Sequence, residues 1–154
     1  VGSEMCIRDS AYDGQWKPFF ESIALAYREN SSVRDAMEGE RNLQGFLKAY
    51  LALASYYLVE PELEMNYGYC DFFLLPDKKR YPDIGHSYIL ELKYAGRTTT
   101  DTELETQAEE GRRQLLQYSK DKIALQLAKD TTLHLILLQF RGWDLVKCEE
   151  IASC

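Results

Sequence analysis

Two stretches decide how this chain reads: Gly68-Tyr69-Cys70-Asp71-Phe72-Phe73-Leu74-Leu75 and, further on, Ile89-Leu90-Glu91-Leu92-Lys93. The first is rich in aromatic and branched residues and is bounded by Gly68 and Pro76, which predicts a strand over Tyr69–Leu75. Side chains alternate along a strand, so Asp71 shares a face with Tyr69, Phe73 and Leu75. A carboxylate on an apolar face costs on the order of several kcal/mol unless it is paired or bound to a metal. The second stretch predicts a strand over His86–Tyr94. Ile89, Glu91 and Lys93 lie on one of its faces, and Tyr88, Leu90, Leu92 and Tyr94 on the other. Singly, each polar residue has an ordinary alternative. Asp71 beside Gly68 can be turn chemistry, and Glu91 with Lys93 can be a solvated surface pair.

Outward from these strands, the spacing predicts a short helix over Pro18–Arg28. A longer one follows over Val33–Leu58, capped by Ser31 or Ser32, with Asp35 in its first turn and Pro61 as its stop. Ala36, Glu40, Leu43, Leu47, Tyr50 and Ala54 share its apolar face, widened by Phe46, Leu53 and Tyr57. Glu40 is therefore an inward glutamate or one that snorkels to water, while Glu38 is rotated into solvent. Leu63–Tyr67 reads as a strand, with Gly68 a turn or bulge. After His86–Tyr94, Gly96 and Thr98-Thr99-Thr100-Asp101 break the strand and cap a long helix over Thr102–Ala128. Leu133–Phe140 and Trp143–Glu149 are two further strands joined at Arg141-Gly142. Three strands in a row suggest an antiparallel meander, and the long helix a crossover that returns the fourth strand parallel to the third. Leu133–Leu138 is apolar on both faces apart from His134, as a central strand should be.

The first ten residues, VGSEMCIRDS, show no helical or strand period and no signal-like apolar run. Met5–Ser10 back-translates as the end of a transposon adaptor used in sequencing libraries. Residues 1–10 are read as an adaptor scar on an N-terminally truncated fragment and left out of the fold reasoning. The alternative is a native disordered N-terminus. Residues 11–32 are then a remnant helical segment, and 33–154 a single domain.

The formal charge of −7 counts against a passive nucleic-acid coat, which would be basic. It counts less against an enzyme that gathers carboxylates around cations. No segment approaches the ~20 apolar residues of a membrane helix, so no membrane partner is expected. No CxxC pair or Cys/His cluster points to zinc. Scattered Cys70, Cys148 and Cys154 fit free thiols and a cytoplasmic location.

Jointly, an acid after a Gly-x-x turn, Glu-x-Lys on the next strand and an inward helix glutamate offer oxygen ligands suited to Mg²⁺ or Mn²⁺, with a lysine on the same face. That is an inventory for hydrolysing a phosphodiester. Gly68-Tyr69-Cys70-Asp71 with Glu91-Leu92-Lys93 resembles the G-x-x-D…E-x-K signature of the PD-(D/E)XK nuclease superfamily. The blocks GERNLQGFLKAYLAL, ELEMNYGYCDFFLLPD and HSYILELKY are more closely similar to the C-terminal nuclease-like domain of a group of bacterial proteins. In that group the domain follows an AAA-ATPase-like domain. The resemblance covers about Glu38 to Glu149 and implies an α/β, restriction-endonuclease-like αβββαβ core: a mixed central sheet flanked by helices.

The resemblance implies that Asp71 and Glu91 are metal ligands, with Glu40 a secondary one, and that Lys93 orients or activates water. It also makes Gln114, with Tyr118 one turn on, a site residue; a plain surface glutamine is the alternative. Many members carry a basic residue before the motif acid, where this chain has Tyr69 and Cys70. Lys78-Lys79-Arg80 and Arg112-Arg113 are the remaining basic clusters, or simply solvated charge. The expected function is Mg²⁺- or Mn²⁺-dependent cleavage of nucleic acid, with DNA favoured. The alternatives are a catalytically silent module that binds nucleic acid or a partner under an upstream ATPase-like domain, and a scaffold in which Glu91 and Lys93 merely pair.

Overall fold

In the computed structural model of the chain, residues 2–30, 39–53, 55–65 and 68–152 are described, residues 2–5 and 69 by their backbone alone. The strands are β1 (Tyr57–Met65), β2 (Gly68–Pro76), β3 (His86–Ala95), β4 (Thr132–Arg141) and β5 (Asp144–Ile151). They form one sheet in the order β1-β2-β3-β4-β5. β1, β2 and β3 pair antiparallel, β3 and β4 parallel, and β4 and β5 antiparallel. The meander and the crossover to a parallel strand are thus as expected, and the architecture is the α/β, mixed-sheet one. The helices are α1 (Gly2–Tyr12), α2 (Lys17–Glu29), α3 (Glu40–Ala52), α4 (Asp101–Ser119) and α5 (Lys122–Leu127).

Strand alternation divides the core in two. Tyr88, Leu90 and Leu92 of β3 pack with Phe20, Ile23, Leu43 and Leu47 of α2 and α3. Ile89 on the opposite face packs with Ala108, Leu115 and Tyr118 of α4. β4 is buried from His134 through Phe140, in keeping with its position between β3 and β5. Each such buried aliphatic or aromatic side chain contributes roughly 1.5–3 kcal/mol. Among the described residues no helix is long and apolar enough to cross a membrane.

Several local expectations give way to tertiary pairing. The helix expected over Val33–Leu58 is described only as Glu40–Ala52, because Tyr57 and Leu58 instead pair with Pro76 and Leu75 as the start of β1. The expected roles of Ser31, Ser32, Asp35, Ala36 and Glu38 fall outside the described residues. Leu53 is 81% exposed and does not widen the apolar stripe. Pro61 stops nothing: it lies inside β1, an edge strand, where its missing N–H leaves no central ladder bond unmade. The helix expected over Thr102–Ala128 breaks at Lys120-Asp121, because the Asp121 carboxylate accepts from Ile123 N at 2.8 Å and caps a new helix.

The lack of helical period in residues 1–10 is also overruled. Gly2–Tyr12 is helical, with Ile7 and Ala11 buried in the first core and the Ser10 carbonyl accepting from the Tyr88 hydroxyl at 2.5 Å. Among its described side chains Ile7, Ser10 and Ala11 are buried, at the three- and four-residue spacing of one helix face.

Candidate active site

β2 and β3 pair in ladder register only over Phe72–Leu74 and Tyr88–Leu90. Beyond Phe72 the Asp71 side chain takes over the ladder's role: its Oδ2 accepts from the Leu92 backbone N–H at 2.7 Å. The disturbance extends to β1. Glu62, opposite Asp71 between the Pro61–Phe72 and Leu63–Cys70 pairs, adopts φ +51°. Cys70 is displaced as well. Alternation puts it across the sheet from Phe73, yet both lie in the core under α4. The strand thus twists at the motif acid and turns its carboxylate toward Glu91.

Glu91 is buried, with a side chain only 6% exposed, and is not the solvated surface residue that Leu-Glu-Leu-Lys allows. Lys93 Nζ stands 3.6 Å from Glu91 Oε1. Glu91 and Asp71 are within side-chain hydrogen-bonding reach of each other. Burial pushes the Glu91 carboxyl up to about 8, the Asp71 charge adding to the rise and Lys93 opposing it. Burial also raises Asp71, against the Leu92 N–H and the Lys93 ammonium, with the Glu40 charge raising it further. Two acids so close are disfavoured from ionising together and titrate as a pair.

One oxygen of this group is left over. Glu91 Oε2 is buried with no hydrogen-bond partner, and so is Gln114 Oε1 on α4. An orphaned buried oxygen costs about 1–3 kcal/mol, more when charged, so each calls for a partner that carries positive charge or donates a proton. The donor set is all oxygen, which is the chemistry of Mg²⁺ or Mn²⁺ sites. Asp71 and Glu91 fit a hard cation on these grounds.

The other expected residues are placed unequally. Gln114 lies on the inner side of α4, between Gly111 and Tyr118, and is half-buried. Burial raises the Tyr118 phenol, with Glu91, Cys70 and Asp71 adding their charge, so Tyr118 borders the acid pair. Burial likewise pushes the Cys70 thiol up to about 12, helped by Glu91. Glu40 is exposed at the first turn of α3 and reaches Asp71 through its charge. Among the described residues no three His, Cys, Asp or Glu side chains converge as a metal cluster. The acid pair and Lys93 are therefore together, and Glu40 stands outside them. Arg112 is held by Glu149 at 2.5 Å, Glu109 at 2.5 Å and Glu105 at 2.9 Å, which leaves no free guanidinium for a phosphate.

Gly111 went unnoticed in the sequence. A Cβ there would meet Leu137 Cδ1 at 2.7 Å, so any larger residue makes Leu137 of β4 shift, while the Lys93 stem at 3.5 Å lies in ordinary contact beside it. A lone glycine inside a helical pattern was the available signal. Gln139 was missed too. Buried beside Lys93 in the β3–β4 register, it donates to the Leu104 carbonyl and to Gln107 Oε1, each at 2.8 Å, and ties α4 to the sheet.

Among known proteins, the profile described as the PD-(D/E)XK nuclease superfamily matches residues 38–150. That span contains Asp71, Glu91, Lys93, Glu40 and Gln114. No curated protein and no solved structure matches the chain.

Proposed function

The chain belongs to the PD-(D/E)XK nuclease superfamily, and from that premise we propose that it hydrolyses phosphodiester bonds of nucleic acid, with DNA the favoured substrate, at Asp71, Glu91 and Lys93. The observation that carries the reading is the buried, unpartnered Glu91 Oε2 beside Asp71 and Lys93.

Asp71 and Glu91 would hold Mg²⁺ or Mn²⁺, with Glu40 a more distant contributor. When bound, the cation supplies Lewis acidity and lowers the pKa of coordinated water. Asp71 presents its carboxylate in a fixed direction, because Oδ2 is anchored on Leu92 N. To hold a cation Glu91 would act in its ionised form. Lys93, 3.6 Å from Glu91 Oε1, would orient the attacking water or neutralise charge on a phosphate oxygen. Gln114 offers a buried carbonyl oxygen to a water in the site.

A second reading has its own support. The lack of a three-acid cluster among the described residues and a net charge of −7 fit a silent module that binds nucleic acid or a partner. Both readings include the upstream AAA-ATPase-like domain implied by the resemblance, and a cytoplasmic setting.

The test is cleavage of plasmid, single-stranded DNA and RNA by the chain with Mg²⁺ or Mn²⁺, against Lys93→Ala and Asp71→Ala variants checked for folding by circular dichroism. Metal-dependent cleavage by the wild type, lost in both folded variants, is the expected result. Cleavage that survives both substitutions overturns the site. Nucleic-acid binding with no cleavage, also when an upstream ATPase-like half is supplied, favours the silent module.

A further inference from the structure

Gln139 interrupts the apolar run of β4. It is 1% exposed, in a strand buried from His134 through Phe140. A buried amide costs free energy unless it is hydrogen-bonded, and an apolar residue would fill the position without that cost. The Gln139 amide nitrogen donates twice, to the Leu104 carbonyl and to Gln107 Oε1, each at 2.8 Å. Gln107 passes the link on. Its own amide nitrogen donates to the Tyr94 carbonyl at 2.8 Å. One chain of hydrogen bonds therefore runs from β4 through α4 to β3, and it ends on the residue that follows Lys93.

Lys93 is the side chain that this chain of bonds surrounds. Gln139 is its partner in the β3–β4 register. Gln107 stands one helical turn before Gly111, and the Lys93 stem passes under that glycine, its Cγ and Cε each 3.5 Å from where a Cβ would lie. The lysine has few other restraints. Its four-carbon stem is flexible, and its ammonium is 3.6 Å from Glu91 Oε1, beyond hydrogen-bond length. Apolar contact between α4 and the sheet is non-directional. The bonds at Leu104, Gln107 and Tyr94 are directional, so they fix where α4 stands along β3. Neither glutamine leaves a buried side-chain atom without a partner, and a satisfied buried network specifies one arrangement of the elements it joins.

We propose that Gln139 and Gln107 are positioning residues for Lys93: they lock the first turns of α4 over its stem and so aim its ammonium at the space beside Glu91. The proposal rests on the catalytic reading above and adds the residues that hold the lysine ready. Neither amide binds substrate or moves a proton; each acts through Lys93.

The test uses Gln139→Met and Gln107→Met, which keep an unbranched side chain of similar length and remove the donors. His134→Ala, which loosens β4 on the opposite face, is the control. The first readout needs no activity: acetylation of lysines in the folded chain, followed site by site by mass spectrometry. Lys93 should label about fivefold or more faster in either glutamine variant, as a local loosening allows. Exposed Lys122 and Lys129 should label as in the wild type, and Lys93 in His134→Ala should stay within about twofold of it. Should Gln139→Met fail to fold, the half-buried Gln107 decides. The second readout is steady-state cleavage. In both variants kcat should fall about tenfold or more with KM unchanged, the split expected when a reacting group is misplaced and substrate contacts remain. Unchanged Lys93 labelling in the folded glutamine variants, or an equal rise in His134→Ala, overturns the proposal. So does faster labelling with kcat unchanged, or a rise in KM alone. A wild type that cleaves nothing ends the catalytic reading, and the labelling then still decides whether the two glutamines hold Lys93.

Discussion

The two faces of the sheet each carry a polar cluster, one partly exposed and one buried, and they are built on opposite terms. On the face toward α1–α3, His86 Nδ1 lies 2.8 Å from His134 Nε2, and His134 Nδ1 lies 3.1 Å from Glu150 Oε1. The Trp16 indole donates to the same Glu150 oxygen at 2.6 Å, and the Tyr88 ring stacks on His134 at 4.7 Å. No buried polar side-chain atom of that cluster lacks a partner. On the α4 face, Asp71, Glu91 and Gln114 leave two buried oxygens unpaired and set two acids where they are disfavoured from ionising together. A satisfied network fastens segments distant in sequence and adds to stability. An unsatisfied one lowers stability, and its persistence points to a partner that arrives from outside. On the proposed function, the difference separates a structural cluster from the catalytic one within one sheet.

The largest effect should come from Glu91→Gln. The amide keeps the shape but cannot ionise, so cation-dependent turnover should fall by about 10²–10³, the scale of losing one electrostatic contributor at a reacting centre. Thermal stability should hold or rise, since a buried acid held near its neighbour's charge is removed. A variant that loses activity only because it unfolds, seen as a drop in Tm, would break the comparison.

Gly111→Val comes next. The new Cβ must displace Leu137, and the valine branches crowd the Lys93 stem, at a cost of about 1–3 kcal/mol for overpacking. Folded Gly111→Val should also show a lower kcat, because Lys93 is pushed from its place. Denaturant unfolding and steady-state kinetics read the two parts. His134→Ala should have the reverse balance: a loss of about 1–3 kcal/mol from an orphaned partner, with kcat unchanged below the new Tm.

The smallest effect is in the pH dependence, and its sign differs between the clusters. Glu91 is raised from its ordinary 4.5 to about 8. Its stabilising contribution in metal-free protein is full below about pH 4.5 and is lost as pH rises through 8. His86 is lowered by burial and then by the His134 charge, so its contribution is present above 6.5 and lost as pH falls below. Subtracting the Glu91→Gln stability profile from the wild-type one isolates the first slope. A flat difference between pH 5 and 9 would remove the case for a protonated Glu91.

How much of this was legible in the sequence follows the range of the forces. Asp71, Glu91 and Lys93 stood out because strand alternation exposes a polar residue on an apolar face without knowledge of its partners. The division of β3 into two faces, the central place of β4 and the crossover through α4 follow from the same short periods. Tyr57 and Leu58 misled because they fit the preceding helical stripe as well as a strand, and only pairing with β2 decides between them. Asp121 was a cap hidden inside an otherwise continuous helical pattern. The His86–His134–Glu150–Trp16 chain joins residues spread over most of the sequence, and nothing local marks it. Gly111 offered only a lone glycine in a helical pattern, and its reason, the Leu137 side chain of β4 beneath it, is set by the packing of α4 on the sheet.

The most direct test of the unsatisfied site is Mn²⁺ binding by isothermal titration calorimetry at a pH above 8, for the wild-type chain and for folded Glu91→Gln. One site in the wild type, weakened about tenfold or more when a ligand carboxylate is replaced by an amide, is the predicted result. It should be accompanied by proton release that diminishes as the pH rises past 8. Equal Mn²⁺ binding by both proteins, or none by the wild type, would contradict the assignment of Glu91 Oε2 as an oxygen waiting for a cation.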